Sequence, residues 1–196
     1  MGDPKFPRKR YATPPHPWKT ERITEEKEVT KTYGLKSRRE IWKMKSLIRN
    51  FRKQARQLSA KLRTGDKQAE KEREALIKRL EVMGLLSSGA NLNDVLTINL
   101  ETIMNRRLQT LVYHMGIATT SHQARQFITH GHIQISERKV TIPGYLVRKN
   151  EETTIKFFAN SPLVSETHPI KMMKGQKEKD TVPLDMPAPK APMKEA

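Results

Sequence analysis

The longest hydrophobic pattern in the chain runs from residue 35 to residue 63. Apolar side chains recur there every three or four positions, which is the period of one face of an α-helix. Ser37 stands near the start and Glu40 three residues later, at the spacing of an N-terminal capping box. The pattern predicts a long helix whose apolar face packs against neighbouring helices. That face consists of Ile41, Met44, Ile48, Phe51, Ala55, Leu58 and Leu62.

The segments next to this helix have weaker helical patterns. Residues 20–34 suit a helix of mixed charge. A second helix is predicted over residues 67–83, and a loop at 87–93 separates it from one short helical piece that leads into Arg106. We therefore predict a helical domain over residues 35–105. The inward positions of the second helix are Ala69, Leu76, Leu80 and Met83, and the short helical piece runs through Leu96, Leu100, Ile103 and Met104.

After residue 105 the pattern changes from helices alone to two short helices followed by small strands. Thr120 and Gln123 have the spacing of a capping box for the second of these helices. Gly116 and Gly131 end the two helices. The side chains predicted to be buried are Leu108, Leu111, Val112 and Met115 in the first helix, and Ala124, Phe127 and Ile128 in the second.

The strands are predicted from alternating apolar residues. Ile133 and Ile135 alternate on one side of a turn at 136–139, and Val140 and Ile142 alternate on the other side. A last strand is predicted around residues 155–157. Two helices followed by a small sheet form one compact unit over residues 106–161, which is named the C-terminal module below.

The two ends of the chain lack hydrophobic periodicity. Residues 1–34 begin with scattered prolines and a basic cluster, Arg8-Lys9-Arg10, so they are predicted to form an extended basic arm. Residues 162–196 contain many prolines and are nearly neutral in charge, which predicts a disordered tail. The predicted fold class is therefore α+β, with a helical N-terminal domain, a small αα-then-β module, an extended arm and a disordered tail.

The positive charge of the chain indicates what class of partner it binds. The formal net charge is +17, and residues 35–63 hold eleven Lys and Arg against one acid, Glu40. Such a surface suits a polyanion. The apolar face could also form a coiled coil, but a coiled coil needs charges of both signs beside its apolar seam. Because this helix carries almost only positive charges, it would repel a second copy of itself, and no homo-oligomer is expected. A membrane partner is not favoured, because the chain has no apolar run of about 18 residues.

The polar side chains outside the predicted apolar faces suit the surface of a folded RNA. Arginine binds phosphates through its forked donors, and hydroxyl and amide groups reach phosphate and ribose oxygens. In residues 106–161 the charges are again mostly of one sign, with eight Lys and Arg against three acids. The predicted RNA-binding residues are Arg8, Lys9, Arg10, Arg38, Arg39, Arg49, Arg52, Lys53, Arg56, Arg106, Arg107, Gln109, Tyr113, Thr120, Ser121, His122, Gln123, Arg125, His130, His132, Arg138 and Lys139.

Catalytic and metal chemistry are disfavoured. The sequence has no cysteine, no Gly-rich phosphate loop and none of the common hydrolase or zinc motifs. His130 and His132 could bind a metal as a pair, but no carboxylate cluster lies near them in the sequence, so no metal or cofactor is expected. The acid pairs at 25–26 and 151–152 are interpreted as solvated. The absence of cysteine fits a cytoplasmic protein.

Residues 106–147 resemble the RNA-binding module known as the S-four fold. The same module occurs in pseudouridine synthases, tyrosyl-tRNA synthetases and heat-shock RNA binders, so this resemblance alone implies only that the chain binds structured RNA. The matching segments are Arg-Arg-Leu at 106–108, Gly-Ile-Ala at 116–118, Ala-Arg-Gln-Phe at 124–127, His-Gly-His-Ile at 130–133 and Pro-Gly-Tyr-Leu-Val at 143–147.

The whole layout resembles the S-four family of small-subunit ribosomal proteins, and the opening residues and Tyr-Gly-Leu-Lys-Ser-Arg-Arg-Glu-Ile-Trp-Lys at 33–43 resemble its archaeal branch. The resemblance implies a structural constituent of the small ribosomal subunit that binds the 5′ domain of small-subunit ribosomal RNA. It also implies a role in nucleating assembly of the subunit body, a contact with ribosomal protein number five and an influence on translational accuracy. Some bacterial members bind zinc through N-terminal cysteines, which this chain lacks.

Two other interpretations remain open at this stage. The chain could be a non-ribosomal RNA-binding regulator with an S-four domain, although such proteins usually lack a helical domain like that of residues 35–105. It could also be a subunit of an RNA-modifying enzyme, although no segment with a catalytic aspartate motif remains outside the predicted domains. A structural protein without enzymatic activity is therefore favoured.

Overall fold

The structure, a computed structural model, describes Lys9 and residues 11–164. Its contacts divide the chain into two units, residues 1–158 and residues 159–196. In the second unit, the residues that the structure describes include one short 3₁₀ turn at Pro162–Val164, where the Leu163 N–H donates to Ser161 Oγ at 3.2 Å. The tail predicted to be disordered lies outside the described residues from 165 onward.

The first unit contains helices followed by a small antiparallel sheet, as the α+β prediction requires. The helices are α1 (Thr20–Thr32), α2 (Arg38–Arg63), α3 (Lys67–Val82), α4 (Leu92–Thr97), α5 (Leu100–Asn105), α6 (Leu108–His114) and α7 (Ser121–Thr129). The strands are β1 (Ile133–Ile135), β2 (Arg138–Lys139) and β3 (Ile155–Phe157), and a 3₁₀ helix spans Lys149–Thr154. The strand order in the sheet is β2-β1-β3.

Helix α2 is the centre of the helical domain. Its predicted apolar face is confirmed, because five of the seven positions are buried and Met44 and Leu62 are partly buried. The face packs against α3, α4 and α5, which is the arrangement expected for an amphipathic helix in a folded domain. One cluster joins Ile48, Phe51, Ala55 and Leu58 of α2 to Ala69, Leu76, Leu80, Leu85, Val95, Ile98 and Ile103.

The first turn of α2 differs from the predicted capping box. Ser37 does cap the helix, since its side chain accepts the Arg39 N–H at 3.2 Å. Glu40, however, does not turn back to the cap. Its carboxylate contacts two arginines of the C-terminal module, and charge-assisted bonds of that kind outweigh a single bond to a backbone N–H.

The end of the helical domain also differs from its prediction. The single helical piece expected before Arg106 is two helices, α4 and α5, separated by Ile98 and Asn99. The Asn91 N–H donates to the Asp94 side chain at 2.7 Å, which fixes the start of α4. Ile98, between the two helices, is buried, whereas Leu96 of α4 is 37% exposed. The sequence did not reveal this break because the apolar spacing continues across it.

The C-terminal module has the two predicted helices, α6 and α7. Thr120 caps α7, because its hydroxyl accepts the Gln123 N–H at 3.1 Å. The Gln123 side chain accepts the N–H of Thr119 rather than that of Thr120, so the reciprocal half of the predicted capping box is displaced by one residue. Met115 is the residue that ends α6 and is 41% exposed, so its predicted burial is wrong.

The sheet begins with a tighter turn than the sequence suggested. Strand β1 pairs with β2 with Ile135 opposite Arg138, so only Ser136 and Glu137 form the turn. Ser136 has a φ of 55°, as a two-residue hairpin requires. The returning strand therefore comes before the predicted alternation of Val140 and Ile142, and Ile142 is 64% exposed. Strand β3 forms where it was predicted and pairs with the other edge of β1.

The described part of the arm lies against α2. The Tyr11 and Trp42 rings are 6.0 Å apart between centroids, and the Ala12 N–H donates to Ser46 Oγ at 3.1 Å. Glu26 is 1% exposed and accepts hydrogen bonds from Arg22 and from Trp42 Nε1, each at 3.0 Å. The interpretation of the acid pair at 25–26 as solvated is therefore wrong for Glu26, which helps to hold α1 on α2.

The link between α1 and α2 contains a close approach that only glycine allows. Gly34 has a φ of +59°, and a Cβ placed on it would lie 2.6 Å from Ser121 Oγ and 2.9 Å from Ser121 Cβ. Gly65, between α2 and α3, has a similar φ of +76° but no atom within 4 Å of the same position. A Cβ at either glycine would have the same unfavourable backbone conformation, but only a Cβ at Gly34 would also collide with neighbouring atoms. Comparing the two positions therefore separates the two effects on stability.

We expect Gly34→Ala to destabilise the protein more than Gly65→Ala. Both variants place a Cβ in the left-handed region, which costs about 1–2 kcal/mol. Gly34→Ala must also displace Ser121, and overpacking of this kind adds about 1–3 kcal/mol. Denaturant unfolding of the two variants beside the parent chain measures the difference. Equal destabilisation would show that helix α7 does not press on this link.

Candidate nucleic-acid interface

The exposed cations of α2 form a basic surface along one helix. Arg49, Lys53 and Arg56 are exposed and spaced four and three residues apart, so they share one side of the helix. These three residues are named the α2 ridge. Arg39 and Lys43 are also exposed, and in the described part of the chain none of the five makes an ion pair or donates a side-chain hydrogen bond. A solvated cation without a protein partner is available to a phosphate.

Two other residues of α2 that were predicted to bind RNA are less exposed to solvent. Arg52 is half-buried and donates to the Ile98 carbonyl at 2.6 Å, so it binds the link between α4 and α5. Arg38 is half-buried in the first turn of the helix. Arg52 was predicted to bind RNA together with Arg49 and Arg56, whereas in the structure its guanidinium makes a packing contact within the helical domain.

The C-terminal module presents a second polar surface. Six of its predicted RNA-binding residues are exposed on the elements that follow α5. Two of them are on the edge strand β2, one is on α6 and three lie at the two ends of α7. These residues are Tyr113, Thr120, His122, His130, Arg138 and Lys139.

Arg107 and Gln109 are not on that surface. Both are 1% exposed, so the prediction that they face outward is wrong. Arg107 precedes α6 and points into the interface with α2, where its guanidinium donates to the Glu40 carboxylate. The Arg107 Nε atom has no hydrogen-bond partner among the described residues. Its charge is therefore balanced by Glu40 alone among the acids that the structure describes.

Arg125 joins the same carboxylate from the other helix of the module. Its two terminal nitrogens lie 3.0 Å from Glu40 Oε1 and 3.3 Å from Glu40 Oε2, a forked contact. Burial alone would raise the pKa of Glu40, but the hydrogen bonds and charges of Arg125 and Arg107 outweigh it and lower that pKa below the ordinary value of 4.5. Glu40 is thus ionised at neutral pH and serves as the shared counter-ion of both arginines.

Gln109 extends this network into the link before α2. Its amide nitrogen lies 3.0 Å from the Tyr33 carbonyl, 2.9 Å from the Gly34 carbonyl and 3.0 Å from the Ser121 carbonyl. Its amide oxygen accepts from Arg125 at 3.3 Å. Glu40, Arg107, Gln109 and Arg125 are named the interdomain network, because together they connect the helical domain to both helices of the module.

Arg106 and the other half-buried candidates also have contacts within the protein. Arg106 donates to Glu152 at 2.9 Å and to the Val147 carbonyl at 3.1 Å. Burial, together with its hydrogen bond to Glu151, raises the pKa of Tyr145. The acids at 151–152 are thus bonded rather than simply solvated, contrary to their interpretation from the sequence. Three further predicted residues, Ser121, Gln123 and His132, are half-buried.

The rings of the histidine pair lie near each other and are nearly parallel. The His130 and His132 rings are 6.2 Å apart between centroids, and His132 also meets the Phe127 ring edge-on at 6.3 Å. Within the described ranges, no three His, Asp or Glu side chains approach one another as metal ligands would. None of the helices in the described part of the chain is both long and apolar enough to cross a membrane.

The basic cluster of the arm is described only at its middle residue. Lys9 is exposed, and its Nζ lies 4.8 Å from the Tyr11 ring centroid and 3.4 Å from Thr13 Oγ1. Arg8 and Arg10 lie outside the described residues.

Two family models match consecutive segments of the chain. A model described as "Ribosomal protein S4/S9 N-terminal domain" matches residues 5–105, and a model described as "S4 domain" matches residues 106–152. The junction between the two matches is the point where α5 ends, and the interdomain network connects the two matched segments. The first model alone matches more than half of the chain.

Curated relatives agree with these models over most of the sequence. A protein of Thermoplasma acidophilum named "Small ribosomal subunit protein uS4" is 51% identical over 171 residues, which is 87% of this chain and 86% of that protein. Its namesake in Picrophilus torridus is 49% identical over 92% of this chain and 99% of its own length. The chain belongs to the uS4 family of ribosomal proteins. A third relative of the same name, from Methanococcus aeolicus, is 49% identical over 86% of this chain and 94% of its own length.

Family membership confirms the resemblance drawn from the sequence, including its archaeal character. The uS4 family is structural and non-enzymatic, so the interpretation of the chain as a protein without catalytic activity is also confirmed. The family models do not assign individual RNA contacts, and the division of the cations into bonded and unbonded groups comes from the structure.

The role of Glu40 was not predicted from the sequence. The signal was present, because Glu40 is the one acid among the eleven cations of residues 35–63. An acid retained in such a segment suggests a specific partner, but the capping-box spacing offered a local explanation. Its actual partners are 67 and 85 residues away in the chain, a separation that periodicity does not report.

We expect Glu40→Gln to destabilise the protein by about 3–5 kcal/mol at neutral pH, because it leaves a buried arginine without its counter-charge. The folded pKa of Glu40 is lowered, so its contribution is complete above the ordinary pKa of 4.5 and is lost as pH falls through the folded pKa. The stability difference between the parent chain and the variant should therefore shrink in acid. Denaturant unfolding between neutral and acidic pH measures this. The exposed Glu137→Gln is the control, and a difference that stayed constant with pH would contradict the assignment.

Proposed function

We propose that the chain is a structural component of the small ribosomal subunit that binds small-subunit ribosomal RNA through two surfaces. The first is the α2 ridge with Arg39 and Lys43, and the second is the exposed polar surface of the C-terminal module. The observation that supports this most directly is the row of exposed α2 cations without acidic partners among the described residues. Membership of the uS4 family supports the ribosomal identity of the RNA.

The two surfaces suit different parts of an RNA. Cations spaced along a straight helix follow a line of phosphates, so the α2 ridge would bind through charge and without regard to base identity. The module offers hydroxyl, imidazole and phenol groups beside its cations, and these can bond ribose and stack on unpaired bases. We therefore assign affinity mainly to the ridge and recognition of RNA shape mainly to the module.

We divide most of the predicted RNA-binding residues between contact and support, according to whether the side chain is exposed or bonded within the protein. We propose RNA contacts for the exposed side chains and for the arm. Arg52, Arg106, Arg107, Gln109 and Arg125 would support those surfaces from within the protein. The proposed contact residues are Arg8, Lys9, Arg10, Arg39, Lys43, Arg49, Lys53, Arg56, Tyr113, Thr120, His122, His130, Arg138 and Lys139.

The family resemblance supplies the finer part of the proposal. By that resemblance the RNA would be a helical junction in the 5′ domain, and binding there would nucleate assembly of the subunit body. The neighbouring proteins would include ribosomal protein number five, with an influence on translational accuracy. The protein would act as one copy per subunit in the cytoplasm, and the one-signed charge of α2 opposes self-association.

Replacing the α2 ridge should weaken RNA binding through phosphate contacts. We expect Arg49→Ala, Lys53→Ala and Arg56→Ala together to lower affinity for a small-subunit 5′-domain RNA and for a shuffled RNA alike. The slope of log affinity against log salt should fall by about 0.7–0.9 for each lost phosphate contact. Filter binding over a salt series measures both quantities, and unfolding curves should remain close to those of the parent chain because these side chains are exposed.

A matched control removes three charges from another helix. Lys67, Lys71 and Lys78 are exposed on α3, where acids alternate with the cations. Replacing them by alanine changes net charge by the same amount, so an effect of net charge alone would be equal for the two triple variants. Equal losses of affinity and slope would contradict the assignment of the ridge as the contact surface.

A further inference from the structure

We propose that the interdomain network is a clamp that fixes the orientation of the α2 ridge relative to the RNA-binding surface of the C-terminal module. This inference rests on the proposed function, because a fixed orientation matters only when both surfaces bind one RNA. The residues concerned are positioning residues, since they act on RNA through the surfaces they hold. Glu40 is the central residue, because it is the one that contacts both Arg107 and Arg125.

The position of Glu40 links the two surfaces mechanically. It lies in the first turn of α2, and the ridge begins nine residues later at Arg49, about 14 Å along the same rigid helix. Arg107 precedes α6 and Arg125 is within α7, so one carboxylate holds both helices of the module. A change of angle at Glu40 is therefore enlarged along α2 before it reaches the ridge.

The chemistry of the clamp favours a single geometry. Two guanidinium groups on one carboxylate are held by directional, charge-assisted bonds, whereas apolar contacts would allow sliding. The network leaves little room for adjustment, because Arg107 is 1% exposed and Gln109 is saturated by three backbone carbonyls and Arg125. The close contact between Gly34 and Ser121 closes the same interface from the side of the α1–α2 link.

A fixed orientation increases affinity for an RNA that spans both surfaces. When the first surface has bound, a rigid connection holds the second at its own site, so the second contact forms at high effective concentration. A loose connection would lose orientational freedom on binding, and that loss would weaken the complex. An RNA too short to reach both surfaces would gain nothing from the clamp.

The sign of the charge change makes the proposal sharply testable. Glu40→Gln removes a negative charge from an RNA-binding helix, so electrostatics alone would strengthen binding to any RNA. The clamp requires the opposite result for a large structured RNA. Glu137→Gln removes an equal charge from the exposed hairpin turn of the module, and it therefore reports the electrostatic effect by itself.

The binding experiment compares the full-length parent chain, Glu40→Gln and Glu137→Gln on two RNAs, below the melting temperature of each protein. One RNA is the small-subunit 5′ domain, and the other is a single-stranded oligoribonucleotide too short to span both surfaces. We expect Glu40→Gln to lose about tenfold in affinity for the 5′ domain and to bind the short RNA within twofold of Glu137→Gln. Arg125→Lys keeps both the net charge and the Glu40–Arg107 pair, so it replaces Glu40→Gln in this experiment if Glu40→Gln does not fold. We expect Arg125→Lys to lose affinity for the 5′ domain as well, but by a smaller factor.

A second measurement tests the orientation without RNA. The chain has no cysteine, so Gln57→Cys on α2 and Lys156→Cys on β3 can be spin-labelled selectively. Double electron–electron resonance should give one narrow distance distribution in the parent background and a clearly broader one with Glu40→Gln or Arg125→Lys. A merely stabilising salt bridge would change the melting temperature and leave that width unchanged.

The outcomes separate the clamp from the proposed function. If the parent chain prefers the 5′ domain but Glu40→Gln binds it as tightly as Glu137→Gln does, the clamp is wrong and the proposed function stands. An unchanged distance distribution in both clamp variants would also overturn it. If the parent chain shows no preference for the 5′ domain over the short RNA, the proposed function fails, and the clamp as an RNA-binding device fails with it.

Discussion

The fold depends on a single carboxylate that forms ion pairs with two arginines, at the place where the helical domain meets the C-terminal module. Arg107 is almost completely buried, and a buried cation is tolerated only with a counter-charge and hydrogen bonds. Glu40 provides both and simultaneously holds Arg125, so the most basic helix of the protein is joined to both helices of the module. The polar contact between these two parts is thus made by arginines, a residue type that the protein also presents to RNA. Buried arginines join the two parts, and exposed arginines are available to RNA.

That distinction organises the whole basic surface. Arg52, Arg106, Arg107 and Arg125 are bonded to carbonyls or carboxylates and lie wholly or partly inside the protein. The α2 ridge has no such partners among the described residues and is exposed. The 38 Lys and Arg residues of the chain therefore do not all face solvent, and these four arginines are not free to meet phosphates. Membership of the uS4 family gives the cations of the α2 ridge their expected partner, small-subunit ribosomal RNA.

Much of the fold followed from periodicity, because α2, α3, α7 and β3 have apolar patterns that match their burial. The break between α4 and α5 and the early return of the hairpin did not follow, since each depends on local backbone geometry that leaves the apolar spacing almost unchanged. The site was harder to predict than the fold. The sequence alone does not distinguish an exposed arginine of the α2 ridge from an arginine in an ion pair. The ion-pair partner of Arg107, Glu40, lies 67 residues away in the chain. Lone acids in strongly basic helices are the signal that could have shown which arginines were already paired.

The central claim is that RNA meets the α2 ridge and the module together while α3 faces away from it. Lysine acetylation followed by mass spectrometry, with and without bound small-subunit 5′-domain RNA, tests this most directly. The account predicts that Lys43 and Lys53 on α2 and Lys139 on β2 become unreactive together at saturating RNA, while Lys71 and Lys78 on α3 stay as reactive as in the free protein. Protection of the α3 lysines to the same degree, or protection of α2 without Lys139, would contradict it.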